Sequence, residues 1–215
     1  MVRIANEAAT GPTREYRSEL RAEQAEATRT RILDATLRVM AGGVATVSIP
    51  AVAREAGVSV PTVYRHFGTK SGLLKALYRH LMPRIGMYDI APPTSIGEFR
   101  TAIRAIFDRL DAADDLARVA IASPAAAEAR RATMPDRLRF SRQFVGAIAP
   151  DLATTDQDRI ARIVVVLTMS TALRTWRDHL GATADAAADD VEWTIRSLID
   201  ATDDTGISLS IADTC

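Results

Sequence analysis

The sequence predicts an all-α protein in two parts: an N-terminal three-helix domain built on a helix-turn-helix, and a larger helical C-terminal domain. Three observations predict it. Apolar residues recur at helical spacing through most of the 215 residues. Residues 47–74, VSIPAVAREAGVSVPTVYRHFGTKSGLL, read as two short helices around a tight turn, followed by the start of a third. Charge is divided along the chain. Residues 1–80 hold 12 Lys and Arg against 7 Asp and Glu, whereas residues 81–215 hold 15 against 20, although the whole chain is formally neutral.

The bulk composition, 47% hydrophobic and 25% charged, is that of an ordinary globular protein with room for a sizeable core. A basic head on an acidic body suits a protein whose N-terminal part meets nucleic acid and whose remainder does not. The single cysteine, Cys215, permits no internal disulfide, in keeping with a reducing cytoplasm. The N-terminus lacks the apolar segment of a signal peptide, and the longest apolar run, residues 163–167, is far too short for a bilayer. A soluble, cytoplasmic protein with no membrane partner is expected.

Residues 1–25 read as an N-terminal arm, partly disordered, with a disordered lead over 1–12. Arg14, Arg17 and Arg21 are three or four apart, so they share a helical face that suits a minor groove. Glu15, Glu19, Glu23 and Glu26 interleave with them and favour a solvated helix held by pairs at helical spacing. The helix-turn-helix domain is assigned to 26–81. Its first helix, about 27–41, carries the stripe Ile32, Leu33, Thr36, Leu37 and Met40 and ends at Gly42 and Gly43. Ser48 is placed to cap the second helix, and Pro50 falls in its first turn, where a missing N–H does no harm. Ile49, Val52, Ala53 and Ala56 form the buried face before Gly57 ends the helix. Ser59 and Pro61 open the third helix, and Val63 and Phe67 turn inward. Thr69 caps the fourth, which runs through Leu73, Leu74, Leu77 and Leu81 to Pro83.

The break at 82–95, with Pro83, Gly86 and the Pro92–Pro93 pair, marks the joint to a domain assigned to 82–215. Its helices are expected at about 95–110, 114–122, 124–131 and 135–149. A longest helix over 156–180, stopped by Gly181, and a last helix over 185–201 complete it. Beyond 202 only Ile207, Leu209 and Ile211 suggest any pattern. The long helix is apolar nearly all round at 160–169, which calls for a second covered side. Trp193 sits off the Val191, Ile195, Leu198 and Ile199 face, as an interface anchor would.

The third helix carries the chemistry. Thr62, Tyr64, Arg65 and His66 all donate hydrogen bonds and project away from the core pair, as required of a helix set against phosphates and base edges. The run AGVS, then PTVYRHF, then TKSGLL, within an alignment of about residues 30–77, closely resembles the N-terminal domain of the TetR family of transcriptional regulators. The resemblance implies a phosphate contact for Ser48, base contacts or close approach for Val60, Pro61, Thr62 and Arg65, and phosphate contacts for Tyr64, His66 and Lys70. Pro61 stands where many relatives carry Gly, and Pro50 where many carry a polar or basic residue, which bears on one backbone contact. The resemblance further implies a homodimer joined through its last two helices and bound to a palindromic operator. It also implies a C-terminal pocket for an unknown small-molecule effector, with no cofactor.

Candidate pocket residues are Phe99, Phe107, Met134, Phe140, Phe144, Met169 and Trp176, with Arg104, Arg142 and Arg174 as candidates to hold an acidic group. His66, His80 and His179 have no neighbour at a metal-ligand spacing, and no Gly-rich phosphate loop, HExxH or GxSxG is present. An enzyme is not expected. The expected function is a DNA-binding transcriptional regulator, a repressor released by its ligand. The alternative is an all-helical dimeric interaction protein whose helix-turn-helix meets protein rather than DNA.

Overall fold

The computed structural model describes residues 14–87 and 90–205. Within them the chain forms α1 (Arg14–Ala41), α2 (Ile49–Ala56), α3 (Val60–Phe67), α4 (Lys70–Arg84), α5 (Ile96–Asp111), α6 (Asp115–Ala122), α7 (Ala126–Ile148), α8 (Thr154–Thr168), α9 (Ser170–Asp178) and α10 (Ala184–Thr205). No strand occurs among the described residues. The lead 1–12, the side chains of Arg14 and Arg17, the tail pattern of Ile207, Leu209 and Ile211, and Cys215 lie outside them.

Three helix bounds differ from expectation. α1 is one unbroken helix of 28 residues, begun well before residue 27. Its first half is rich in Ala, Glu and Arg, which favour a helix, and its second half is anchored in the core, so propagation backwards is cheap. The helices expected at 124–131 and 135–149 are a single α7, with Pro135 inside it. A proline there removes one hydrogen bond to the carbonyl four residues earlier. That carbonyl belongs to Arg131, an exposed residue, so water can meet it. Conversely, the expected longest helix is two. Met169 adopts an extended conformation (φ −67°, ψ 146°) between α8 and α9, with no glycine or proline to announce it.

Burial sorts the chain into two cores. Around α1–α4 lie Ile32, Leu37, Val52, Val63, Leu73 and Leu77. This first core also draws in Ala113, Ala117, Ala120, Ala125 and Ala126, from α6, the start of α7 and their flanks. Alanine lets backbones approach closely, so α6 and α7 press directly on the N-terminal helices. Thr36 is fully buried there because its hydroxyl donates to Ile32 O at 2.8 Å. The second core joins α5, α7, α8 and α10 through Phe99, Ile103, Phe144, Ile160, Val191 and Ile195. Phe99 and Phe144 stack with centroids 4.4 Å apart.

Polar ties join α1, α4 and α6 around the first core. Asp34 of α1 accepts from His80 Nε2 at 2.9 Å and pairs with Arg84 of α4. Arg84 Nε donates to Asp114 at 2.8 Å, and Asp114 in turn caps α6 by accepting from the Ala117 N–H at 3.0 Å.

The turn from α3 to α4 depends on a residue the sequence did not single out. Gly72 sits in the first turn of α4, where any Cβ would overlap the carbonyl oxygen of Phe67. Because that obstacle is backbone, it cannot rotate away. Gly72→Ala is therefore expected to cost about 1–3 kcal/mol, the usual range for overpacking, read as a lower midpoint in thermal or urea unfolding.

Candidate nucleic-acid interface

The helix-turn-helix is assembled by local chemistry at each end. α2 ends in a Schellman motif: Val58 N–H donates to Ala53 O at 2.9 Å and Gly57 N–H to Arg54 O at 3.2 Å. Gly57 takes the left-handed φ of 64° that this motif needs, at no steric cost. Ser59 then caps α3 by accepting from Thr62 N–H at 3.3 Å, and Thr69 caps α4 by accepting from Gly72 N–H at 2.9 Å. Ser48 departs from expectation. It occupies the N-cap position of α2, but its side chain makes no cap hydrogen bond. The hydroxyl is exposed at a helix N-terminus, in the place where a phosphate oxygen is most favoured.

α3 turns Val63 inward, at 1% exposure, and leaves Pro61, Tyr64 and Arg65 exposed. Those three lie at positions i, i+3 and i+4 and so share one face. Thr62 is half-buried, its hydroxyl 2.9 Å from Ser59 Oγ and within 3.5 Å of Arg65 Nη2, which leans Arg65 back along the helix. Val60 is half-buried against the first core, so less of it is available to a base than of Pro61. His66 is half-buried, and its pKa lies below the ordinary histidine value. Burial is the main cause, followed by the charges of Arg65 and Arg29, against a smaller opposing effect of Glu26. A neutral imidazole still offers one N–H to a phosphate.

Two residues on this surface escaped the sequence. Arg29 of α1 stacks its guanidinium 4.7 Å above the Phe67 ring and donates to His66 O at 3.3 Å, holding the end of α3. Glu128 of α7 accepts from Lys70 Nζ at 2.7 Å and from Val47 N–H at 2.9 Å. Lys70 is thus half-buried and engaged with a carboxylate, rather than projecting alone towards a phosphate. Burial pushes the Glu128 pKa up, but the bonds from Lys70 and Val47 outweigh it and leave the carboxyl below its usual range. No periodicity or spacing could have paired residues 70 and 128.

Behind this head lies a cavity of about 480 Å³, walled mostly by apolar side chains of α1, α4, α5, α7 and α8. Its size is ordinary for a small-molecule site. Leu77, Tyr78 and Leu81 of α4 form one wall. Of the seven expected lining residues, Phe99, Phe140 and Phe144 face it. The other four do not: Phe107 is buried in the second core, Trp176 packs on that core, and Met134 and Met169 are half-buried outside the lining. Helical spacing identifies an inward side, and most inward residues meet protein. The three candidate arginines also lie outside the lining, each near a carboxylate: Arg104 beside Asp108 and Asp185, Arg142 with Asp158, and Arg174 with Asp178. Among the described residues, no group of three His, Cys, Asp or Glu could hold a metal ion, and no helix is long and apolar enough to cross a membrane.

A helix-turn-helix with an exposed hydrogen-bonding third helix, set on a helical body, defines a DNA-binding transcriptional regulator. Residues 32–77 match the family described as bacterial regulatory proteins, tetR family. The fold matches that of NalD, the secondary repressor of the MexAB-OprM multidrug efflux pump in Pseudomonas aeruginosa. The TM-score is 0.54 at 19% identity, over 81% of this chain and 96% of that one. No curated protein matches the sequence. The DNA-binding domain of that family thus matches residues 32–77, and the helical remainder carries the fold shared with that structure.

Proposed function

We propose that this chain is a dimeric repressor that leaves a palindromic operator when a small molecule fills the cavity. The observation that carries this reading is that the cavity shares walls with the DNA-binding head. α4 begins at Lys70, directly after the recognition helix, and lines the cavity further along through Leu77, Tyr78 and Leu81. α7 lines it through Thr133 and Arg137, while Glu128, earlier on the same helix, holds Lys70 and the Val47 amide beside Ser48. A ligand that shifts α4 or α7 moves the reading head. Two recognition helices must match successive major grooves about 34–36 Å apart, and packed helices shift between discrete arrangements, so a small displacement suffices.

In this reading residues 26–81 bind DNA, and 82–215 bind ligand and dimerise. Ser48, Tyr64 and His66 hold phosphates, and Lys70 adds another when it leaves Glu128, while Val60, Pro61, Thr62 and Arg65 approach bases. The dimer forms through α8 and α10, where Val166 and Trp193 are 62% and 69% exposed, unusual for side chains so large and apolar.

Salt tests the DNA half. Roughly 6–8 phosphates held by the dimer should give a slope of log affinity against log salt of about −5 to −7. A flat response would remove the phosphate assignments. Linkage tests the release half. The coupling between ligand and operator should be about 1–3 kcal/mol and reciprocal. The natural ligand, identified by mass spectrometry of an extract of the denatured protein, should bind more weakly by that factor when operator is present. Equal affinity with and without operator would overturn release.

A further inference from the structure

The cavity lining is mostly apolar, and Arg130 and Arg137 enter it from α7. Neither is matched by a carboxylate among the described residues. Arg130 Nη1 reaches only Ile121 O, at 3.4 Å, and Arg137 Nε only Thr133 Oγ1, at 3.4 Å, its guanidinium resting 5.2 Å over the Tyr78 ring of α4. Arg38, Arg84, Arg100, Arg142 and Arg177, by contrast, each pair with an acid. The acid that the described residues add to the lining, Asp136, accepts from Arg139 Nη2 at 2.7 Å on its own helix. Burial, then the charges of Arg137, Arg174 and Arg131, all press the Arg130 pKa down, so its surroundings disfavour a cation without a counter-charge. Half-buried guanidiniums with only long, neutral acceptors, in the wall of a mostly apolar chamber, are completed by an anion.

We propose that the cavity takes an amphipathic carboxylate, its apolar body among Phe99, Phe140 and Phe144 and its acid bound by Arg130 and Arg137. This rests on the reading of the cavity as the effector site, and it names the chemistry of the effector. It also gives the ligand a lever. Arg137 rests on Tyr78 of α4, and an acid that draws the guanidinium away loosens α7 from α4.

The test uses the full-length protein without DNA and two sets of matched probes: decanoate, decylamine and decanol, and 2-naphthoate, 2-naphthylmethylamine and 2-naphthylmethanol. Calorimetry should show the carboxylate of at least one set binding 10-fold or more tighter than its amine and alcohol. Arg130→Gln and Arg137→Gln should each weaken that carboxylate roughly 10- to 100-fold, the range for hydrogen bonds to a charged group, and leave the alcohol of the same set unchanged. Unchanged alcohol binding shows that the variants remain folded, and Arg→Lys at either position should restore part of the loss. Carboxylate binding that ignores both Gln variants overturns the inference. If the amine or alcohol binds as well as the carboxylate, the inference fails while the effector reading stands. If no probe of either set binds, both fail.

Discussion

Replacing Arg65 by alanine is expected to weaken binding to the cognate operator by about 1–3 kcal/mol per half-site. With two independent half-sites, a dimer would lose roughly 2–6 kcal/mol, a factor on the order of 30 to 10⁴. The reason is geometric. Arg65 has the only guanidinium on α3, it is exposed, and it shares a face with Pro61 and Tyr64. Bidentate contact to guanine is the commonest specific pairing available to such a group. Random DNA should suffer much less, so the two affinities converge and preference relaxes at one base position in each half-site. The check is a titration of wild type and Arg65→Ala against operator and scrambled duplexes at one salt concentration. An equal loss on both would make Arg65 a phosphate contact and shift sequence reading to Pro61 and Thr62.

Glu128→Gln should act in the opposite direction on affinity. The amide oxygen can still accept from Val47 N–H, but the charge that holds Lys70 is gone. Lys70 is then available to a phosphate, two per dimer, and the salt slope should steepen by about 1.8, or about 0.9 for each phosphate gained. Tighter binding at low salt should accompany weaker release, because α7 would no longer compete with DNA for Lys70. Glu128→Ala adds a second effect, since the Val47 amide loses its acceptor; a stability cost of about 1–3 kcal/mol is expected. A slope identical to wild type in Glu128→Gln would show that Glu128 and DNA do not compete for this lysine. The linkage with pH has a definite sign. A carboxyl held below its usual range contributes stability above its unfolded-state pKa, and that contribution is lost as pH falls through its folded value.

Much of the reading head was legible because its determinants are local. Gly57 and Gly68 with positive φ, the Ser59 and Thr69 caps, and Pro61 in a first turn act within four residues of themselves. The inward placement of Val63 and the outward placement of Tyr64 and Arg65 follow from helical periodicity alone. Where a local rule failed, a local alternative was open to the chain. The Ser48 hydroxyl has no partner built into α2, and Pro135 sits where Arg131 faces solvent. The break at Met169 gave no signal, because an extended residue between α8 and α9 needs no glycine when φ stays negative.

The cavity was the least legible part, and the reason is physical. Seven residues were picked for being large, apolar and inward-facing, and only Phe99, Phe140 and Phe144 line it, since a void is defined by what several helices fail to fill together. The arginines divide in the same way. Arg104, Arg142 and Arg174 differ from Arg130 and Arg137 in having an acid within reach, and those acids lie 4 to 81 residues away along the chain. Helix type, helix order and the reading face were therefore determined by the sequence itself, through capping, periodicity and turn chemistry that operate over a few residues. The tertiary structure alone decided that Glu128 holds Lys70 and that Arg137 rests on Tyr78. Each depends on a distance between backbones that only the packing of whole helices sets.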